Sequence, residues 1–268
     1  MTKYEGPDLI PVEPKLRDGK RKVITYFHDE CCFHALDYKD NNGNIIADAR
    51  EIIYPGLKGD AWWDTEQLLK QIKHAIAIHN HVQPDTIALF VFDQSSAHAL
   101  LLPNALNAWN MNKSNGGKQK LCKDTIIPQS NPSMEQHGQW QKMTMEDGLV
   151  KGMEVVLTER GFNVLKMKAK CSPVCPIENK DCCMAQLLSH QEDFKNQILM
   201  LAMVIQEVGH ECIFLLKFHC ELNPIEIYWG WCKYCYHQVP KTSFEDSKQL
   251  ALQYLDTCSL EMICQFIN

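Results

Sequence analysis

Three short stretches of this chain set a carboxylate where chemistry at phosphorus would want one: FHDE with Asp29, FDQSSAH with Asp93, and ELNPIEIYWGWCK with Glu226. Cleaving a phosphodiester needs an activated oxygen nucleophile, an in-line phosphorus and a stabilised leaving oxygen, and two hard cations about 4 Å apart supply all three. Magnesium takes oxygen ligands. Such ligands serve best on rigid elements from whose ends they project, where water and substrate can enter. The chain has 33 acidic residues, and most acids are solvated surface charges. The setting of these three is therefore what singles them out.

The elements that would position them can be read from the pattern. Val23 to Phe27 (VITYF) reads as a buried strand that delivers His28, Asp29 and Glu30 at its end. Thr86 to Phe92 (TIALFVF) is a continuous apolar run, as in a strand covered on both faces, and ends on Asp93. Asn223-Pro224 has the chemistry of an N-cap followed by proline at the first helical position, which puts Glu226 in a first turn. Ile225, Trp229, Cys232 and Tyr236 share one face of that helix, and Glu226, Gly230, Lys233 and His237 another. Trp229 thereby reads as core rather than as a base-stacking residue, and Lys233 as a candidate phosphate contact. His98 is placed to orient Asp93 or to touch DNA, with a hydrogen-bonded structural histidine as the alternative. Glu30 and Glu221 read as supporting or capping groups.

Between these blocks, Cys32 to Tyr38 and Ile45 to Tyr54 read as further strands, so that three consecutive strands form an antiparallel meander. A helix capped by Asp64 or Thr65 runs to just before Pro84, with Leu68, Leu69, Ile72 and Ile76 on its apolar face. Residues 103–148 show little periodicity. Val150 to Arg160 reads as a helix stopped by Gly161, and Phe194, Ile198, Leu201, Ala202, Ile205 and Val208 mark one long helix stopped by Gly209. Glu211 to Lys217 reads as a last buried strand.

A second group of residues carries different chemistry. Cys171, Cys175, Cys182 and Cys183 form a C-x3-C-x6-C-C cluster, with His219 and Cys220 further on. Closely spaced soft thiolates suit a structural zinc ion. The alternative is a set of reduced thiols packing a segment with few large apolar side chains. The spacing is not a pair of C-x2-C knuckles, and both readings stay open. No phosphate-binding loop, dinucleotide fingerprint or serine elbow is present, and Gly116-Gly117-Lys118 lacks the phosphate-loop spacing.

Composition bounds the reading. The 268 residues are 45% hydrophobic, enough to bury a large core. Net charge is −6 with an isoelectric point near 6.0, so the chain is not a general polyanion binder, although an acid-rich metal site contributes to that balance. Apolar runs fall far short of the roughly 20 residues that cross a bilayer, so no membrane partner is expected. The charged, proline-containing start lacks a secretory signal, which predicts an intracellular protein with reduced cysteines.

In order along the chain, FHDE, FDQSSAH and GHECIFLLKFHCELNPIE, together with MNKSNGGKQ, KCSPVCP and DCCMAQLL, resemble the mariner-like DDE transposases. The resemblance is closest to a group common in fungal genomes and extends from about Lys22 onward. It implies an RNase H-like α/β core, a mixed sheet of about five strands flanked by helices. A lead-in of residues 1–22 would precede a catalytic domain of residues 23–268, interrupted by a large irregular Cys-containing insertion of about 103–190. Asp29, Asp93 and Glu226 would be the catalytic carboxylates, holding two magnesium or manganese ions, and Lys233 the lysine of NPIExxWGxxK. The partners would be DNA, as transposon ends and target, and a second copy in a homodimer, in the nucleus. Family members carry a DNA-binding region ahead of the first block and continue past the last, so this chain is expected to be a shortened copy. A catalytically inactive, transposase-derived nucleic-acid-binding or interaction module is the alternative.

Overall fold

The computed structural model describes residues 3–5, 10–12, 15–29, 32–33, 37–54, 59–95, 97–176, 178–216, 219, 222–255, 257–259, 262 and 265; at strand positions 3–5, 10–12, 29, 32, 33 and 37 it describes the backbone. In chain order the strands and helices are β1 (Lys3–Glu5), β2 (Ile10–Val12), β3 (Val23–Asp29), β4 (Cys32–Phe33), β5 (Asp37–Lys39), β6 (Ile45–Asp48), α1 (Thr65–Val82), β7 (Ile87–Phe92), β8 (Thr125–Ile126), β9 (Trp140–Gln141), α2 (Met153–Glu159), α3 (Met184–Ser189), α4 (Glu192–Lys195), α5 (Met200–Glu207), β10 (Glu211–Phe214), α6 (Pro224–Gln238) and α7 (Phe244–Leu255). The chain is mixed α/β and divides into two units: unit 1, residues 1–100 and 200–268, and unit 2, residues 101–199.

Unit 1 is organised by a sheet of order β10-β7-β3-β4, in which β10, β7 and β3 run parallel and β4 is antiparallel to β3. Parallel neighbours need a crossover connection, and α1 lies in the one between β3 and β7. Asp64 starts that helix with a capping box: its carboxylate accepts from Gln67 N–H while the Gln67 side chain accepts from Asp64 N–H. The apolar stripe Leu68, Ile72, Ala75 and Ile76 then packs on Ala88, Phe90 and Phe92 of β7 and on Leu201 and Ile205 of α5. Burying each large side chain of this set contributes about 1.5–3 kcal/mol.

Three expectations need correction. Among the described residues the main sheet has four strands rather than about five. The predicted meander is broken, because β5 pairs only with β6 in a separate two-stranded sheet, and β6 ends at Asp48 rather than near Tyr54. Residues 34–36, within the predicted Cys32 to Tyr38 strand, lie outside the described residues. The long helix from Phe194 is two helices, α4 and α5. Phe194 belongs to the core of unit 2 and Leu201 to that of unit 1, while Ile198 is exposed. An i, i+4 pattern cannot tell one helix from two that each supply part of it.

Unit 2 is short of regular structure yet has its own core of Leu106, Met143, Met153, Leu157, Met184, Leu188 and Phe194. Its polar centre is Arg160, fully buried, which donates from Nη1 and Nη2 to the two carboxylate oxygens of Asp193 at 2.9 and 2.7 Å and from Nε to Gln141 Oε1 at 2.9 Å. The MNKSNGGKQ stretch wraps the start of α2: Met153 N–H and Glu154 N–H donate to Asn112 O and Lys113 O, and Gly152 N–H to Asn115 Oδ1. These bonds occupy amides that a helix start otherwise leaves unpaired. No helix among the described residues is long and apolar enough to cross a membrane.

Candidate functional site

In unit 1 the register of the central strands decides where the acids fall. His28 of β3 stands opposite Phe92 of β7. Asp29 and Asp93 are the next residues along two parallel neighbours, and adjacent strands are about 4.8 Å apart. The side chain of Asp29 lies outside the described residues, as do Glu30 and Glu221. The third acid arrives by a separate tether. Asn223, buried at the N-cap of α6, makes no capping bond with its side chain; its amide instead donates to the carbonyl of His28 at 3.3 Å. Glu226 N–H donates to Asn223 O, so the first turn of α6 is fixed to the end of β3. Sequence position alone predicted the cap and missed the tether. The Oδ1 of Asn223 is buried with no donor among the described residues.

Asp93 ends a chain of hydrogen bonds that crosses the sheet into α1. Its Oδ1 lies 2.5 Å from His98 Nδ1, which is also 3.0 Å from the Asp93 carbonyl. His98 Nε2 meets His28 Nδ1 at 3.2 Å, His28 Nε2 meets Gln71 Oε1 at 3.1 Å, and Gln71 Nε2 donates to Ala49 O at 2.9 Å. The last bond settles the others: Gln71 presents its oxygen, so His28 Nε2 must donate, and a neutral His28 accepts at Nδ1 from His98. The groups facing His98 Nδ1 are the Asp93 carboxylate, the Asp93 carbonyl and the Ser95 hydroxyl. Burial, then the neighbouring His98 ring, push the pKa of His28 down to about 3. The His98 N–H in turn holds the Asp93 carboxyl below the usual range. Asp93 is therefore an anchored carboxylate, half-buried, whose Oδ2 accepts no bond among the described residues.

The complete burial of His98 leaves it no face for a DNA backbone, and its bonds to Asp93 and His28 fit both a hydrogen-bonded structural histidine and one that orients the carboxylate. Lys233 lies exposed on α6, its Nζ 5.7 Å from the centre of the Trp229 ring. The sequence reading did not single out His28 as a member of the site, nor Gln71. A signal existed for both: a histidine directly before a strand-end acid, and a glutamine on the otherwise apolar stripe of α1.

In unit 2 the four cysteines of the cluster converge. Their sulfurs all lie within 4.8 Å of one another, with Cys171 Sγ 3.5 Å from Cys182 Sγ and Cys175 Sγ 3.7 Å from Cys183 Sγ. Such an arrangement can hold a soft metal ion such as zinc. Burial and then the neighbouring thiols of Cys171 and Cys175 push Cys182 up to about 12, whereas at Cys183 burial is outweighed by backbone N–H donors from Gln186 and Cys171 together with the thiols of Cys175 and Cys171, which lower it. Cys183 also ends the loop as the N-cap of α3. His219 is exposed in unit 1 and Cys220 lies outside the described residues.

No family model, no curated protein and no solved structure matches the chain.

Proposed function

We propose that unit 1 is a divalent-metal-dependent DNA-cleaving and strand-joining domain of the DDE transposase type, on an RNase H-like core. One relationship carries this reading: β3 and β7 run in parallel register to Asp29 and Asp93, and Asn223 fastens the turn that holds Glu226 to the carbonyl of His28. The strand order, with β4 antiparallel at the edge of three parallel strands, supports the RNase H-like form.

Asp29, Asp93 and Glu226 would hold magnesium or manganese, which when bound acidifies a water and neutralises charge on the oxygens at phosphorus. The donors fit a hard cation: carboxylates, the open Oδ2 of Asp93, and the orphaned amide oxygen of Asn223 on the residue that joins α6 to β3. The chain's own part is positional. His98 clamps one oxygen of Asp93 and leaves the other without a bond among the described residues, and Lys233, about two turns beyond Glu226 on α6, offers a cation to a neighbouring phosphate.

For the thiol cluster of unit 2 we propose a structural zinc ion, because four sulfurs fill a tetrahedral shell and leave no position for substrate.

The nuclease reading is tested by incubating the purified chain with supercoiled plasmid and magnesium or manganese. Nicking by the wild type, lost in Asp93→Ala and Glu226→Ala, supports it. Equal signals from wild type and both variants, or no nicking at all, would leave an inactive, transposase-derived module as the better description.

A further inference from the structure

Beside α6, unit 1 contains a cavity of about 450 Å³ lined by Tyr54, Trp62, Trp63, Trp229, Lys233 and Tyr236 among others. Cavities of this size take a small planar ligand, and aromatic walls with a few polar groups are their usual lining. The sequence pattern assigned Trp229 to the core; half-buried, it packs against the cluster of Ile225, Tyr228 and Cys232 and also forms part of this wall.

Three observations say what the cavity is built for. First, three of the lining rings carry a lysine: Lys233, itself part of the wall, has its Nζ 5.7 Å from the Trp229 centroid, while Lys241 Nζ is 3.8 Å from that of Tyr236 and Lys248 Nζ 4.4 Å from that of Tyr54. A hydrophobic peptide side chain would have no use for these cations, whereas flat rings interleaved with lysines suit bases strung on phosphates. Second, the indole N–H groups of Trp63 and Trp229 are buried with no acceptor among the described residues. Buried donors are rarely left unpaired, and both tryptophans line the cavity, so an occupant rich in ring nitrogens and carbonyls matches what they lack. Third, the cavity shares a helix with the acid site. Glu226, Trp229 and Lys233 follow one another on α6, and seven residues advance about 10 Å, the length of roughly three stacked nucleotides at about 3.4 Å each.

We propose that this cavity receives an unpaired base of the DNA strand whose phosphodiester is presented to Asp29, Asp93 and Glu226. The proposal rests on the nuclease reading and narrows its substrate to DNA with a nucleotide out of the duplex beside the reacting phosphate. The base stacks on the tryptophans, and Lys233 pairs with the phosphate attached to it. Trp62, 77% exposed, closes over the base from the solvent side.

The test uses the whole chain without added magnesium or manganese, so that binding is read without cleavage. Fluorescence anisotropy is followed for a labelled twelve-nucleotide oligo-dT and for a blunt duplex of equal length. The oligonucleotide is expected to bind several-fold tighter than the duplex. Trp62→Ala is expected to weaken it about tenfold, as loss of one base–aromatic stack does, and to leave the duplex unchanged. Lys233→Gln is expected to lower the salt dependence of binding by about one phosphate contact. Trp109→Ala, which removes an exposed indole of unit 2, serves as the control and should change neither affinity. Equal affinity for both probes, equal behaviour of Trp62→Ala and Trp109→Ala, or a dimer that Trp62→Ala converts to monomer with no effect on DNA, would each overturn the proposal. The two readings fail separately. Asp93-dependent nicking without oligonucleotide preference rejects the cavity assignment alone, and oligonucleotide binding without Asp93-dependent nicking rejects the reaction while retaining the base site.

Discussion

The imidazoles of His28 and His98 meet nitrogen to nitrogen, 3.2 Å apart, with His98 donating and His28 accepting. His28 therefore has to stay neutral for the chain from Asp93 to Gln71 to hold. Its pKa is about 3 in the folded protein against 6.5 for a free histidine. Because the folded value is the lower one, unfolded chains bind a proton between pH 6.5 and 3 that folded chains refuse. Stability contributed by the neutral ring is full above pH 6.5 and falls by about 1.4 kcal/mol per pH unit below it. Urea unfolding from pH 7.5 to 5 should show this slope in the wild type. His28→Gln should be less stable at pH 7.5, by roughly 1–3 kcal/mol, but flatter below pH 6.5. Parallel curves would contradict the assignment.

Purified under reducing conditions, the chain should carry close to one zinc ion, measured by elemental mass spectrometry. Cys171→Ser or Cys182→Ser should abolish it. The four sulfurs sit against the core of unit 2, so a strong chelator should lower the melting temperature of the wild type and leave the serine variants where they are. A metal-free chain with a melt indifferent to chelator would identify the cluster as packed thiols.

Gly152 should tolerate no side chain. A Cβ there would stand 2.4 Å from Lys113 O and 2.5 Å from Ser114 C and O, and Lys113 O is itself held by the Glu154 N–H at the start of α2. Gly152→Ala is expected to cost about 1–3 kcal/mol or more. Gly230→Ala in α6 meets nothing within 4 Å and should be neutral or stabilising by up to about 1 kcal/mol. Denaturant midpoints of the two variants decide it; similar losses in both would count against the packing described.

Arg160→Ala should be among the most damaging single changes, about 3–5 kcal/mol, since it leaves the Asp193 carboxylate buried without its partner. Replacing both, as Arg160→Met with Asp193→Leu, should recover much of that loss. A double variant no more stable than Arg160→Ala would show that the pair does more than neutralise itself.

What could be read from the sequence was local. The cap at Asp64, the apolar run into Asp93 and the proline start of α6 are each signalled by adjacent residues, and each recurs in the fold. What escaped depends on partners far apart in the chain. His28 reaches Gln71 and His98, Asn223 reaches back to the carbonyl of His28, and Arg160 pairs with Asp193. Residues 103–148 looked structureless because their order comes from such links, as when Asn112 and Lys113 receive the amides of α2, rather than from periodicity. The cysteines were visible as a group, but their convergence is a property of the loops between them.

The chain leaves unit 1 at Leu100 and re-enters it at Met200, and the Met200 N–H donates to the Leu100 carbonyl at 2.9 Å. The excursion therefore begins and ends at one point of unit 1, and a tight turn could join the two ends without re-laying any strand of the sheet. A segment attached in this way is an exchangeable cassette. Removing or exchanging it would leave the parallel register of β3, β7 and β10 as it stands.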